Sequence, residues 1–571
     1  MELDKNNKEW QAALQIINFT RRSLFLTGKA GTGKSTFLRY VAEHTKKKYV
    51  ILAPTGIAAI NAGGSTLHSF FRLPFHPLLP NDSRYNIRNI RSTLKYDQAK
   101  CKLLREVELI IIDEISMVRA DIIDFIDKVL RIYCRNMRTP FGGKQLLLVG
   151  DIYQLEPVVK EEDRKLLHPF YPSIYFFGAK IFQEMQLVSI ELHKVYRQKD
   201  DQFIGILDRI RNNSALQSDL NILNSRVGKK LADKDNNLAI TLATRRDTVD
   251  YINEQQLNKL EGHASIFYGN IKGEFPESSL PTPMELQIKP GAQVIFIKND
   301  KDRRWVNGTL GVIDVIDEES GIISVITEDG NEYDVEREVW ENLRYTFNEK
   351  EKKIEEEQLG TYTQFPIRLA WAITVHKSQG LTFRQVNIDF TGGVFAGGQT
   401  YVALSRCTSL EGISLQKPIY PQDIFVRAEV VQFARHYNDN SLINKAMSES
   451  KADKEYHDAV KAFDNQDFDG FINAFFKAIH SRYDIEKPIS KRFIRRKLNI
   501  ITELKEENDI LKKEIKRREK LLKRLAAEYT ILGKECEAEH MVEAAIRNYE
   551  KAIELYPDAH EAKRRLKKLS Q

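Results

Sequence analysis

Residues 28 to 35 read Gly28-Lys29-Ala30-Gly31-Thr32-Gly33-Lys34-Ser35, directly behind the apolar run Ser23–Thr27 and ahead of Thr36–Glu43, which has helical spacing. Few arrangements in a chain are as restrictive. Glycines at 28, 31 and 33 let successive backbone N–H groups curl around one centre. The helix that follows turns its positive end toward the same point. A loop of this kind works at the carboxyl end of a buried strand, so it predicts a parallel sheet flanked by helices.

The rest of the first half repeats that rhythm. Apolar runs without alternation, at Tyr49–Ala53, Leu109–Ile112, Leu146–Val149 and Leu187–Glu191, are separated by helical stretches such as Asp121–Ile132. Strands of that type are covered on both faces. A second set, Ala239–Ala243, Leu369–Thr374 and Val386–Phe390, predicts a second α/β sheet. Between its members the segment from Met284 to Glu357 changes character. Its short β-type runs, Gln293–Ile297, Leu310–Val315, Ile322–Thr327 and Glu332–Val335, include the Asp329-Gly330 hairpin signal. A small inserted antiparallel barrel is expected there.

The motif predicts ATP and Mg²⁺ as ligands. The backbone from Gly28 through Lys29, Ala30, Gly31, Thr32 and Gly33 would hold phosphates. Lys34 would meet the β/γ oxygens, and the Ser35 hydroxyl would reach the metal. Ile110-Ile111-Ile112-Asp113-Glu114 is an apolar strand ending in two acids, with Asp113 placed for the metal and Glu114 as general base toward water. Gly150-Asp151-Ile152-Tyr153-Gln154 follows another apolar strand, so Gln154 is expected to sense the γ-phosphate without competing for the metal.

Composition narrows the setting. A length of 571 residues allows three or four domains, and 42% hydrophobic with 29% charged residues is ordinary for a globular chain. No run of about 18 apolar residues suggests a membrane span. The N-terminal residues carry neither a signal core nor an Arg-rich transit pattern, so a cytoplasmic location is expected, nucleoid-associated in a bacterium. Cys101, Cys134, Cys407 and Cys536 have no paired spacing, which fits free thiols and argues against structural zinc. The net charge of +7 is uneven: Lys487 to Leu525 holds 15 Lys/Arg against 6 Asp/Glu, which leaves −2 for everything else. Charge therefore says nothing about nucleic acid for the main body.

Taken in order, the motifs resemble the Pif-one/RecD-like DNA helicases of superfamily 1B over about residues 9 to 435. The set is Ala53-Pro54-Thr55-Gly56-Ile57-Ala58-Ala59, Thr66-Leu67-His68-Ser69-Phe70, Asp113-Glu114-Ile115-Ser116-Met117, Tyr196-Arg197-Gln198, Val375-His376-Lys377-Ser378-Gln379-Gly380 and Tyr401-Val402-Ala403-Leu404-Ser405-Arg406. The resemblance implies two RecA-like domains with ATP between them and 5′→3′ movement on single-stranded DNA, with duplex or forked DNA as the substrate to be opened. It also implies Arg197 and Arg406 as arginine fingers, Gln11 as the adenine-reading side chain, although the usual Leu-Thr before it is missing, and Gly380 beside the nucleotide. The bland alternative for either arginine is a surface ion pair.

For the DNA track the same reading names Thr55 and Gly56 behind the second strand, Thr244 behind Ala239–Ala243, and His376, Ser378 and Gln379 in the second sheet. Outside its motif His376 would read as a core histidine. The stretch from His68 to Pro77 resembles the family's wedge insertion, with Phe75 and His76 expected to be exposed and Phe70 and Phe71 either stacking or core. A nucleotide-gated scaffold and an RNA motor are the competing functions. Fork, quadruplex and RNA–DNA hybrid remain open as substrates, within replication, repair or telomere maintenance.

The expected domains are 1–192 (RecA-like, with a wedge near 66–80), 193–283 and 361–438 (second RecA-like domain), 284–360 (barrel) and 439–571 (helical). Within the last, the polar stretch from Asn438 to Lys454 reads as a linker. Ile501, Leu504, Asn508, Leu511, Ile515, Arg518, Leu522 and Leu525 form a heptad seam. Residues 526–559 resemble a tetratricopeptide unit, with a weaker copy around Ala459–Ile479. A protein partner is expected at that unit, whose 529–557 pair would pack on the heptad helix before it or on a partner chain.

Overall fold

The computed structural model describes residues 7–569 except 75, 197–199, 230, 232–237, 303, 349, 352, 483–485 and 487. It divides into two compact units, Met1–Ala474 and Phe475–Gln571.

The first unit is built on two parallel sheets. Strands β1 (Leu24–Gly28), β2 (Tyr49–Ala53), β3 (Ser65–Thr66), β4 (Leu109–Ile112), β5 (Gln145–Val149) and β6 (Val188–Leu192) lie in the order β3-β2-β4-β5-β1-β6. β1 and β4 are apolar enough to be buried along their whole length. Burial of both faces is what makes them continuous apolar runs rather than alternating ones. The second sheet orders Ala372–Thr374, Ala239–Ala243, Gln385–Asp389 and Ile413–Leu415, again all parallel. In both sheets the loops leaving the carboxyl ends carry the motifs.

The expected strand Leu369–Thr374 is broken. Ile367–Leu369 pairs antiparallel with Gln293–Phe296, whereas Ala372–Thr374 joins the second parallel sheet. The inserted β region is larger than expected: strands Ser265–Tyr268 and Asn270–Gly273 already belong to it. Its centre is a five-stranded antiparallel sheet in the order Glu332–Val335, Ile322–Thr327, Leu310–Asp317, Gln293–Phe296, Ile367–Leu369, packed under Phe267, Leu286 and Ile288 of a second ladder. A long hairpin, Glu338–Asn348 with Lys353–Gln364, leaves this sheet and reaches the first one. Tyr345 is buried there, and its hydroxyl accepts from the Ile51 N–H at 3.3 Å.

Two boundaries move for the same reason, an apolar stripe hidden in polar sequence. The sequence places residues 426–437 with the second α/β domain, but Val430, Phe433 and Tyr437 pack into the core of the first sheet. The expected linker after Asn438 is the helix Asn440–Asp464. Ile443, Ala446 and Met447 seat it against Trp10 and Ile16 of the helix Lys8–Phe19, and Arg22 holds Glu449 through two hydrogen bonds.

In the second unit the heptad segment and the first arm of the tetratricopeptide-like pair are one continuous helix, Pro488–Ala538, so only the second arm is left to pack on it. Val542–Leu555 and His560–Leu569 fold back on its end around Ala526, Ala545, Tyr549 and Ala552. Gly533 is required there: a Cβ at this position would lie 2.5 Å from the Tyr549 ring. No helix among the described residues is long and apolar enough to cross a membrane.

Candidate active site

The phosphate loop leaves β1 with Gly28, Gly31 and Gly33 at positive φ. Gly28 admits no side chain, since a Cβ would meet the Leu192 carbonyl and the Thr32 hydroxyl at 2.7 Å. Lys34 opens the helix Lys34–His44, and its Nζ donates to the Gly28 and Lys29 carbonyls at 2.7 and 3.0 Å. Ser35 is exposed beside it. Gln11 lies exposed on the Lys8–Phe19 helix, next to Trp10, whose ring would be 3.3 Å from a Cβ on Gly33.

β4 delivers Asp113 and Glu114 to the same edge. Glu114 sits at φ 49°, and its N–H donates to Asp113 Oδ1 at 2.9 Å. Burial raises both carboxyls, and Asp113 adds to the rise of Glu114, which reaches about 7, while Lys34 opposes it in each. The donor set fits a magnesium nucleotide: a cation would satisfy two crowded carboxylates, and phosphates would replace the carbonyls now holding Lys34.

The second sheet closes this site from the other side. Gln379 Nε2 donates to Glu114 Oε2 at 2.9 Å and to Gln154 Oε1 at 3.2 Å. Gln154 in turn lies 3.5 Å from Asp151 Oδ2. The Tyr401 hydroxyl accepts from the Ala30 N–H of the phosphate loop at 3.1 Å, and Asp208 pairs with Lys29. Gly398, at φ 76°, permits the approach, because a Cβ would lie 2.3 Å from the Tyr153 carbonyl.

Arg406 is 1% exposed. Its Nε donates to the Val402 carbonyl at 3.0 Å, and its other nitrogens reach the Ser378 and Leu381 carbonyls and Ser405 Oγ. Its charge is felt at Glu114. Arg197 lies outside the described residues. Gly380 is exposed at φ 82° in the loop that carries Gln379.

The DNA-track expectations fare unevenly. Thr55, exposed, and Gly56 open the helix Gly56–Ala62 beyond the carboxyl end of β2, with Thr55 Oγ1 accepting from the Ala58 N–H. His376 is half-buried, its ring stacked on the exposed Phe395 at 6.4 Å and 15°, and burial lowers its pKa. Ser378 is a correction: it is fully buried and donates to the Val375 carbonyl, so it has no face to offer a phosphate. Gln379 is another, since it points into the acid cluster. Thr244 is buried too, with its hydroxyl lacking a hydrogen-bond partner among the described residues.

In the wedge segment Phe70 and Phe71 are core. His68 is part-buried, its pKa lowered by burial and by the nearby Arg119. His76 was expected to be exposed but is part-buried, donating from Nδ1 to the Pro77 carbonyl and packing 6.1 Å from Tyr85. Phase along the chain could not reveal the packing on Tyr85, which lies outside the segment. Phe75 lies outside the described residues.

Three side chains were missed. Asp208, Arg211 and Tyr401 reach the first sheet or the loops at its edge from residues that follow its last strand. Arg211, buried, donates to Asp151 at 3.0 and 3.3 Å, pairs with Glu191 at 3.1 Å and covers the Tyr153 ring. Only Tyr401 had a sequence signal, its place in the Tyr401–Arg406 motif.

A family model described as PIF1-like helicase matches residues 3–219. The human ATP-dependent DNA helicase PIF1 is 34% identical over 71% of this chain, and the match spans 60% of that relative's length. The Campylobacter jejuni ATP-dependent DNA helicase Pif1 is 34% identical over 68% of this chain and 87% of its own. A Bacteroides sp Pif1 in complex with ADP-AlF4 is 40% identical with a TM-score of 0.69, covering 75% of this chain and 96% of that one. Bacteroides Pif1 bound to ssDNA is similar with a TM-score of 0.56 at 39% identity over 77% of this chain and 98% of its own.

Proposed function

This chain belongs to the PIF1-like helicase family, and on that footing we propose that it is an ATP-driven DNA helicase that moves on single-stranded DNA and opens duplex or forked DNA. The observation that carries the reading is Gln379, which ties the acid Glu114 and the amide Gln154 of one sheet to a loop of the other. A cleft whose two walls share the hydrolytic groups must change when the nucleotide changes, and that is how hydrolysis becomes motion.

Roles follow from position. Phosphate-loop amides and Lys34 bind the triphosphate. Ser35 and Asp113 would hold Mg²⁺, which screens phosphate charge. Glu114 takes the proton of the attacking water, a task that suits a carboxyl tuned near the working pH. Gln379 and Gln154 aim Glu114 and the water. Arg406 stabilises charge on the transferring phosphoryl group, with Arg197 assigned the same part by motif and Gln11 the adenine. Thr55, Gly56 and the His376–Phe395 pair face the strand being tracked, while Ser378 and Thr244 shape that surface from beneath.

Steady-state ATP hydrolysis with and without single-stranded DNA tests this. Stimulation by DNA, abolished by Lys34→Ala with strand binding retained, is expected. Equal hydrolysis with and without DNA would exclude a motor.

A further inference from the structure

The second unit presents an interaction surface that the motor reading does not use. Pro488–Ala538 is a helix of 51 residues, about 75 Å long at 1.5 Å per residue. The helices that fold back on it cover its C-terminal end, and among the described residues 501–521 every one is exposed. Upstream, Ile501, Leu504, Leu511 and Ile515 are 44%, 58%, 57% and 57% exposed. Four large aliphatic side chains on one stripe of one helix are more than scattered surface apolarity.

The order of residue types along that stripe identifies what it fits. From Ile501 to Leu525 the spacing alternates 3 and 4 for three and a half heptads, the length at which a coil becomes a credible reading. With Ile501 at a, the a positions are Ile501, Asn508, Ile515 and Leu522, and the d positions are Leu504, Leu511, Arg518 and Leu525. Isoleucine at a with leucine at d packs best in a parallel two-stranded coil, and one asparagine at a fixes register and pair number. A single turn of mismatch would bury Asn508 against leucine.

Charge agrees with a second copy in parallel register. Glu507 at g faces Lys512 at e of the other strand, and the pair occurs twice by symmetry. Two unfavourable approaches coincide and offset each other: Glu514 meets Glu519 of the other strand on each side of the seam, at the level where Arg518 of one strand faces Arg518 of the other. We propose that this chain forms a homodimer through a parallel, in-register coiled coil of residues 501–525. Arg518 and Asn508 lower its stability and set its register.

The test uses the full chain. Sedimentation equilibrium should give the mass of two chains, and a monomer throughout the working concentration range would overturn the proposal. Leu511→Cys should form an interchain disulfide on mild oxidation beyond any formed by the unsubstituted chain, because d positions face each other in a parallel pair. A dimer that does not cross-link there would rule out this register. Lys512→Glu should weaken association at least several-fold, and adding Glu507→Lys should restore it, a rescue that mere damage to the helix cannot produce. Absence of that rescue would contradict the assigned pairing. ATP turnover per chain should stay the same in all three variants, so loss of dimer and loss of the motor are read separately.

Discussion

Gln379 Nε2 lies 2.9 Å from Glu114 Oε2, so a loop of the second sheet holds the acid that ends the fourth strand of the first. An amide donor on a carboxylate orients it without neutralising it, and the same amide spans to Gln154. Gln379→Ala is expected to lower ATP turnover on the order of 10²-fold, the usual loss for one placed donor. Affinity for single-stranded DNA should change far less. If strand affinity fell and turnover held, Gln379 would belong to the DNA track after all.

Glu114→Gln should bind ATP and stall, since Lys34, Ser35 and Asp113 remain. It should also change how stability depends on pH. The Glu114 carboxyl is raised from 4.5 to about 7, first by burial and then by Asp113. The folded state thus favours its protonated form, a contribution present in full below pH 4.5 and lost as pH rises through about 7. Urea unfolding without nucleotide should show the variant gaining on the unsubstituted chain between acid and mildly alkaline pH. A constant difference would mean that the carboxyl is not raised.

Arg406→Ala should cut turnover by about 10³-fold or more, with ATP affinity changing little, as for a group that acts on the transition state. Its guanidinium also satisfies the Val402, Ser378 and Leu381 carbonyls. Arg406→Lys restores charge but not that fork, so it should recover thermal stability only partly. Equal losses in binding and turnover would make Arg406 a ground-state ligand.

Arg211→Ala should destabilise the first unit by about 3–5 kcal/mol, because Asp151 is left buried without its partner. Pairing it with Asp151→Asn should recover part of that loss in thermal unfolding. No recovery would show that Arg211 acts through Glu191 or the Tyr153 ring instead.

The parallel sheets were legible because strands buried on both faces write themselves as apolar runs, as Ile110-Ile111-Ile112 does. The phosphate loop was legible because its backbone requires glycine at 28, 31 and 33, and the two acids because they end a wholly apolar strand. What escaped was set by distant partners. Gln379 and Ser378 are adjacent in a loop, and only the fold decides that one meets Glu114 while the other is buried. Arg211 carries no local signal, since its acids are 60 and 20 residues away in the chain. The helix at Asn440–Asp464 read as linker because Ile443, Ala446 and Met447 are few among polar neighbours, yet they suffice against Trp10.

The most direct test of the central claim is strand separation itself. A duplex with a 5′ single-stranded tail, mixed with the full chain and Mg²⁺, should be unwound when ATP is added. It should stay closed with Lys34→Ala, and with Glu114→Gln even when ATP is bound. A 3′-tailed duplex should stay closed throughout. Unwinding that persists in Glu114→Gln, or that proceeds without ATP, would contradict the assignment of this cleft as the engine.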